Sequence, residues 1–572
     1  MSNTARRQSV TYPNGRVVNL GYGATGSVDD LFSLVKSAAI SGESGNKVEY
    51  TRAGLGRFVK IAYPQPAVEM SMIRPGGGSE GDSGDPYDGY DRFGRVQEMR
   101  WQNSSTGTPT DTWQWGFNEA SNRTWKKNLV ASSGQDEAYG YDGLYQVIRD
   151  AVGTLNTNRT AIGGIPGEEE DFTYDPTGNW LGYRKDTNGT AVLNQSRSNN
   201  QDNQLTQIDG NSALLSYDRA GNATKTAPGT NGNWSKYYQP VWDAWNRLVE
   251  IKDETGASVQ KNTYDGLSRR ITKESGSTVT HTYWSDRWKP LEERIGSSTS
   301  ASRSYLWGER PGHRDELVLR DRDTNGDGSL DERLYATMDY FNGTAVLNTS
   351  GVVQERYAYS AFGVRCIMAA DFSPRSTSSY AWDFGFQGQF RDAETGWYNY
   401  GYRFYVPLLG RWINRDPIEE HGGNNLYEFV RNDVINQNDF LGLACCPEPD
   451  GEKYDESTHC CVKGEVRDRK EKRGGDWNFP FDRWSICSPR DCQAEWDACM
   501  ARGAQVCLVA SVAADIRFAR FSRFGSIGRG RRGPGGSRPN AGLFGDCLAL
   551  YRRACDGQRR GCEKWNVENG FQ

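Results

Sequence analysis

The sequence predicts a mainly β protein: a long sheet built from hairpins, followed by a small disulfide-rich α-helical module at the C-terminus. Three observations carry that prediction. Only 36% of the 572 residues are in the hydrophobic set while 12% are aromatic, so much of the burial must come from Tyr, Trp and Phe, residues that favour strands. A short unit, an aromatic and usually Asp followed by Gly or Asn and a strand-like run, recurs along the first 443 residues. Eleven of the twelve cysteines lie after Leu443, so two compositional regimes meet there.

The repeats come first in order. They are Tyr90-Asp91, Tyr141-Asp142, Tyr174-Asp175, Tyr217-Asp218, Trp242-Asp243 and Tyr264-Asp265, with a weaker copy at Tyr12. Each reads as a hairpin: Asp bonds to nearby backbone N–H groups, Gly or Asn accepts a positive φ, and the β-branched and aromatic residues that follow leave as a strand. The intervals of 51, 33, 43, 25 and 22 residues exclude a fixed-rung solenoid and predict a meander with loops of varied length. A sheet that long must curl or close, because open edges invite aggregation. One exception is SVDDLFSLVKSAAIS. Ser27 with Asp30 resembles a capping signal and Leu31, Leu34, Val35 and Ala38 keep helical spacing, which predicts a short helix.

The block Phe386–Leu443, dense in aromatics, Gly and Asn, closes the repeat region. With the YDxxG units, RYAYSAFGV at Arg356–Val364, TGWYNYGYRFYVPLLGRWINRDPI and NNLYEFVRND, residues 1–443 resemble the RHS/YD-repeat family with its RHS-repeat-associated core domain. The resemblance implies a hollow shell, a β-ribbon coiled into a cocoon that encloses the polypeptide following it, as in the C component of bacterial Tc toxins and in polymorphic toxins. It divides residues 1–443 into a repeat shell (1–365) and the core domain (366–443), and cysteine content divides the rest into a cysteine-containing linker (444–488) and a disulfide-stapled helical hairpin, the variable C-terminal module (489–572).

The resemblance also implies a self-cleavage site. In autoproteolytic relatives an Arg-Asp-Pro and a second carboxylate about a dozen residues on act as an aspartyl-protease-like pair, cutting after the Leu of a terminal Asp-Pro-x-Gly-Leu. Here Arg415 and Asp416 match the first element, Glu428 stands where the second acid is expected, and Leu443–Ala444 is the candidate bond. Two adjacent carboxyls cannot both ionise cheaply, so one holds a proton while the other activates water. Two departures stand out: Glu replaces Asp as the second acid, and Phe440 replaces the Pro whose fixed φ would present the scissile turn. The plainer reading is a turn at Asp416-Pro417 and a surface charge at Glu428.

DRDTNGDGSLDE satisfies a calcium-loop pattern, with Asp321, Asp323, Asn325, the carbonyl of Asp327, Ser329 through water and Glu332 as ligands. The flanks alternate like strands, so a structural Ca²⁺ pinning a loop is expected rather than a paired EF-hand; the plainer reading is a solvated acidic hairpin.

In the C-terminal regime, Cys492, Cys499 and Cys507 are spaced 7 and 8, and Cys547, Cys555 and Cys562 are spaced 8 and 7. An antiparallel helical hairpin would set Cys492 opposite Cys562, Cys499 opposite Cys555 and Cys507 opposite Cys547, three disulfides stapling a unit with little core. Spacing alone does not decide among the fifteen pairings. Cys366, flanked by Val364 and Ile367, reads as a buried thiol. Residues 517–540 interleave Arg with Phe518, Phe521 and Phe524, a pattern that suits an anionic partner, or simply a solvated hairpin tip.

Charge follows the same division: residues 1–443 carry 46 Lys+Arg against 55 Asp+Glu and residues 444–572 carry 22 against 18. The first sixteen residues show no apolar h-region, and no apolar run reaches membrane-spanning length. H-E-x-x-H, P-loop, G-x-S-x-G and dinucleotide fingerprints are absent, so no turnover enzyme and no small-molecule cofactor is expected. The expected function is encapsulation and delivery of the C-terminal module in antagonism between cells, from a secreted or cell-surface location, with that module as cargo and an immunity or delivery partner. The other reading is a non-cleaving structural or adhesive surface protein.

Overall fold

The computed structural model describes residues 6–54, 57–73, 87–227, 234–309, 316–443, 459–462 and 465–468. A 15-stranded meander runs from Ser9–Thr11 to Leu205–Ile208, and a 13-stranded meander runs from Gln239–Trp242 to Pro374–Arg375. In both, each strand pairs antiparallel with its neighbours in sequence. A two-stranded piece, Ser216–Tyr217 with Ala223–Lys225, lies between them in the chain. The mainly β architecture is the expected one.

Because strands alternate in direction, every second turn falls on the same rim of the sheet, and the Tyr-Asp units all mark that rim. This explains the irregular intervals: one repeat is two strands, and the length variation is absorbed by loops on the other rim. The turn chemistry is uniform. Asp265 Oδ1 accepts the N–H groups of Leu267 (2.9 Å) and Arg269 (3.0 Å), and its Oδ2 pairs with Arg269 Nε at 2.7 Å. Arg269 then reaches the next turn, donating to the Ser285 carbonyl at 2.8 Å. Asp243 and Arg247 repeat the pattern onto the Asp265 carbonyl, and Asn179 and Asn222 do it in amide form onto Asn203 and Asn246. The fourth turn residue is left-handed throughout: Gly94, Gly178 and Gly221, but also Tyr145, Asn246, Ser268 and Trp288.

The aromatic before the turn has a second task. Tyr264 donates its hydroxyl to the Leu248 carbonyl, Tyr90 to Phe58, Trp242 to Ala223 and Trp284 to Arg270, at 2.7–2.8 Å. In most repeats the acceptor is the first residue of the strand leaving the preceding turn, so each ring locks the previous hairpin. Asp265→Ala removes the acceptor of two backbone N–H groups and an ion pair, and we expect a loss of about 1–2 kcal/mol, read from urea unfolding. Burial works against the Asp265 charge, yet those N–H groups and Arg269 hold its carboxyl below the ordinary value. The contribution is therefore present above pH ~4 and disappears as pH falls through the depressed value.

Two expectations are corrected. The helix after Ser27 is one turn, Val28–Leu31, with Ser27 Oγ accepting the Asp30 N–H at 3.3 Å. The chain then enters the strand Ser37–Ile40, because pairing with Val17–Gly21 and Asn46–Ala53 on both sides outweighs helical spacing. The shell–core boundary at 365/366 falls inside a hairpin, since Arg365–Ala369 pairs with Val353–Tyr359 and the sheet continues to Pro374–Arg375.

A four-stranded sheet, Phe390–Arg391, Tyr398–Asn399, Phe404–Val406 and Arg411–Trp412, forms the core block. It sits against the Tyr-Asp rim. Asn425 donates to the Thr177 carbonyl, Asn432 to Gly178, and Tyr427 to Gly221, at 2.7–3.1 Å. Arg270 and Asp392 join the block to the second sheet through a buried bidentate pair at 2.7 and 2.8 Å. Between the two large sheets lies a cavity of about 1220 Å³, with Asp150, Glu170 and Lys185 on one wall and Arg303, Arg322 and Cys366 on the other. Cys366 is exposed there rather than buried in the core, because it lies on the opposite face of its strand from Ile367, which pairs with the buried Tyr357. The six cysteines expected to pair, and residues 517–540, lie outside the described residues.

Candidate self-cleavage site

The last described residues of the core block, Asp439 to Leu443, are laid along the Tyr400–Arg403 turn and held atom by atom. Asp439 Oδ1 accepts the N–H groups of Leu441 (3.1 Å), Gly442 (2.7 Å) and Leu443 (3.2 Å). Gln389 Nε2 donates to the Phe440 carbonyl at 3.3 Å, the Tyr402 N–H to the Leu441 carbonyl at 3.1 Å, and Arg403 Nε to the Gly442 carbonyl at 2.6 Å. Asp439 thus supplies the fixed turn that a Pro at 440 would have helped to impose. Gly442 has a φ of +68°, and a Cβ there would sit 3.0 Å from the Arg403 backbone, so the close approach depends on glycine.

Asp416 is brought to this segment from the Arg-Asp-Pro turn. Its N–H donates to the Leu426 carbonyl at 3.0 Å and its Oδ1 accepts the Ile418 N–H at 3.0 Å. Its other oxygen lies 3.0 Å from Arg403 Nη2, and the same nitrogen lies 3.3 Å from Asp439 Oδ2. One buried guanidinium therefore bridges two buried carboxyls, while its face stacks on Trp412 at 4.2 Å. Gly422 shows how near the candidate bond is: a Cβ on it would be 2.6 Å from Asp416 Oδ2 and 3.2 Å from the Leu443 carbonyl oxygen. Burial pushes the Asp439 carboxyl above its ordinary value, opposed by Arg403 and the three N–H groups.

The carboxyl that joins Asp416 is thus Asp439, not Glu428. The backbone of Glu428 pairs with that of Arg411 in an isolated antiparallel β-bridge, its Oε1 accepts from Asn432 Nδ2 at 2.9 Å, and it faces the Gly178 turn, where a Cβ would meet Oε1. Burial there pushes its pKa up to about 8. Arg415 points away as well, its Nε 3.4 Å from the Tyr427 hydroxyl, and the guanidinium at the acid pair is Arg403. Ala444 lies outside the described residues. Nothing in the local sequence marks Arg403; the signal for Asp439 was its place in the terminal motif, four residues before Leu443.

The residues expected to bind Ca²⁺ do not fit that ion. Asp321 is buried between Arg333 Nε (2.7 Å) and Arg16 Nη2 (2.6 Å), and Glu332 pairs with Arg320 (2.8 Å) and Arg322 (2.9 Å). Asp323 accepts the N–H groups of Gly326 and Gly328, and Asp327 that of Ser329, while Asn325 bonds to Asp327. The two ends of the loop lie on paired strands, with Arg322 opposite Glu332, so the acids neutralise arginines and the tip closes on its own backbone. Among the described residues no group of three or more His, Cys, Asp or Glu converges as a metal site. The melting temperature in millimolar Ca²⁺ is expected to match that in chelator.

No protein-family model matches the chain. It is 25% identical over 356 residues to toxin subunit YenC2 of Yersinia entomophaga, covering 56% of this chain and 35% of that protein. It is 24% identical over 465 residues to the double-stranded DNA deaminase toxin A of Burkholderia cenocepacia, covering 72% and 30%. A probable deoxyribonuclease, RhsB of Dickeya dadantii, is 24% identical over 359 residues, covering 55% and 23%. The chain thus spans about a third or less of the length of these relatives. The crystal structure of TcdB2-TccC3 superposes with a TM-score of 0.57 at 18% identity, over 75% of this chain and 21% of that one, a likeness of fold. In the described residues no helix is long and apolar enough to cross a membrane. The repeat rim, the core block docked on it and these relatives lead to one conclusion: the chain is similar to RHS/YD-repeat proteins, with the fold of their repeat shell.

Proposed function

We propose that residues 1–443 form an RHS-type shell that encloses and delivers the polypeptide after Leu443 in antagonism between cells, and that the chain cuts itself once after Leu443. The observation that carries this reading is the Asp416–Arg403–Asp439 bridge beside the Leu443 carbonyl, at the end of a segment whose preceding three carbonyls are held. In the step proposed, one carboxylate takes a proton from water as its oxygen attacks the Leu443 carbonyl carbon. The other carboxylic acid gives its proton to the Ala444 nitrogen as the C–N bond breaks, so one water is consumed and the peptide bond is hydrolysed. We assign Asp416 as the carboxylate that activates water and Asp439, whose carboxyl is pushed up by burial, as the proton donor. Cleavage in cis, once per chain, makes this a maturation event rather than turnover.

Several relatives carry toxin or nuclease in their names, which supports a toxic cargo, secretion or surface display, and an immunity or delivery partner. An anionic partner for residues 517–540 belongs to the same proposal. The test is native size-exclusion chromatography with added protease. The account expects two polypeptides under denaturing conditions that travel as one species natively, the C-terminal piece resisting digestion until the shell unfolds. A C-terminal piece digested as fast as a free peptide contradicts enclosure.

A further inference from the structure

We infer that Trp288, a residue of the repeat sheet, is a positioning residue for cleavage at Leu443, so that the bond is cut only after the repeat sheet has folded onto the core block. The inference rests on the self-cleavage proposed above and adds a condition to it.

Trp288 is the fourth residue of the turn Ser285–Lys289, where its backbone is left-handed at φ +59°. The turn is closed by the Ser285 N–H on the Lys289 carbonyl (2.8 Å) and by Ser285 Oγ accepting the Lys289 N–H (3.1 Å). Lys289 Nζ fastens it to the Gly308 carbonyl of the following turn at 2.8 Å. Other repeats use Gly, Asn or Ser at this position, or Tyr145, which is exposed. Here a large ring leaves the rim and enters the core block, where Trp288, Leu441 and Leu443 form one buried cluster with Tyr402 and Ile418 packed on it. The Trp288 and Tyr402 rings are 4.9 Å apart. Gly401 makes room: a Cβ on it would be 3.1 Å from the indole.

Among the described residues, the polar contacts on the segment, from Asp439, Gln387, Gln389, Tyr402 and Arg403, come from the core block itself. Within the apolar cluster, Trp288 alone comes from the repeat sheet. Polar contacts fix the carbonyls of residues 440–442, whereas the side chains at 441 and 443 are fixed by packing, and the indole is the wall supplied from outside. Without it the Leu443 carbonyl keeps its neighbours but loses the surface that sets its angle to Asp416. Displacements of about 1 Å at a reacting centre cost on the order of 100-fold in rate.

The test follows cleavage of the full chain after pulse-labelled cell-free synthesis, for wild type, Trp288→Ala, Trp288→Phe and Leu443→Ala, with melting temperatures measured in parallel. Trp288→Ala is expected to remain folded at the assay temperature and cut on the order of 100-fold more slowly. Trp288→Phe should recover most of the rate, a rescue that a general loss of stability would not produce. Cleavage of folded Trp288→Ala at the wild-type rate overturns the inference and leaves the self-cleavage reading intact. A wild-type chain that never cuts removes both. Should Trp288→Ala fail to fold, Leu443→Ala, which trims the other side of the same contact, decides: slowed cleavage supports the inference and an unchanged rate overturns it.

Discussion

Asp416→Asn leaves the chain in one piece. The amide has nearly the shape of the carboxylate and can still accept the Ile418 N–H, but it cannot take a proton from water at neutral pH. Loss of a positioned general base costs ~10²–10⁴-fold in rate, enough to turn a cut that finishes during purification into one that does not. Asp439→Asn should have the same outcome for a different reason, because it removes the proton donor. Glu428→Gln should still cut, since its carboxyl is bonded to Asn432 and faces the Gly178 turn. It should also raise stability at alkaline pH. A carboxyl held up near 8 costs nothing while protonated in both states, below pH ~4, and an increasing amount as pH rises through 8. Denaturant midpoints at pH 5 and pH 9 for the two proteins check the sign.

Arg403→Met gives the second large effect, on stability and cleavage together. Arg403 is the shared cation of Asp416 and Asp439, it donates to the Gly442 carbonyl, and it covers Trp412. Methionine fills much of the volume but takes the shared guanidinium away from two buried carboxyls, and removing one partner of a buried ion pair costs ~3–5 kcal/mol. The defect has a pH signature. Burial already holds the Asp439 carboxyl above its ordinary value against the pull of Arg403, and without the guanidinium it rises further, so the loss is largest at neutral pH and shrinks as pH falls below ~4, where Asp439 is neutral in either state. Unfolding in urea at pH 7 and pH 4 measures it, and an equal loss at both would mean that packing on Trp412 is what matters.

The two parts of the chain were not equally legible. The Tyr-Asp turns could be read residue by residue, because Asp at the first position and Gly at the fourth are demanded locally by N–H acceptance and positive φ. The turn that carries Trp288 escaped that reading: it starts with Ser285 and places a tryptophan where the pattern expects Gly or Asn. The acid pair was half legible. Asp416 sits in a marked motif, but its partner is 23 residues on rather than twelve, and the choice between Glu428 and Asp439 depends on which way the turn and single β-bridge beside Arg411 present the Glu428 side chain. The calcium pattern misled for a related reason. Spacing along the chain cannot show that Arg322 lies opposite Glu332, and once it does, the acids neutralise arginines in place of a cation. The helix after Ser27 had a true cap and a false continuation, because sheet neighbours on both sides claimed Ser37–Ile40.

Intact mass of the freshly purified wild-type chain under denaturing conditions tests the central claim most directly. The account predicts two masses that meet at Leu443–Ala444 and sum to the full chain plus one water. A single uncut mass from a folded, fully aged sample would contradict it, and the Asp416–Arg403–Asp439 bridge would then be a buried structural triad of an intact surface protein.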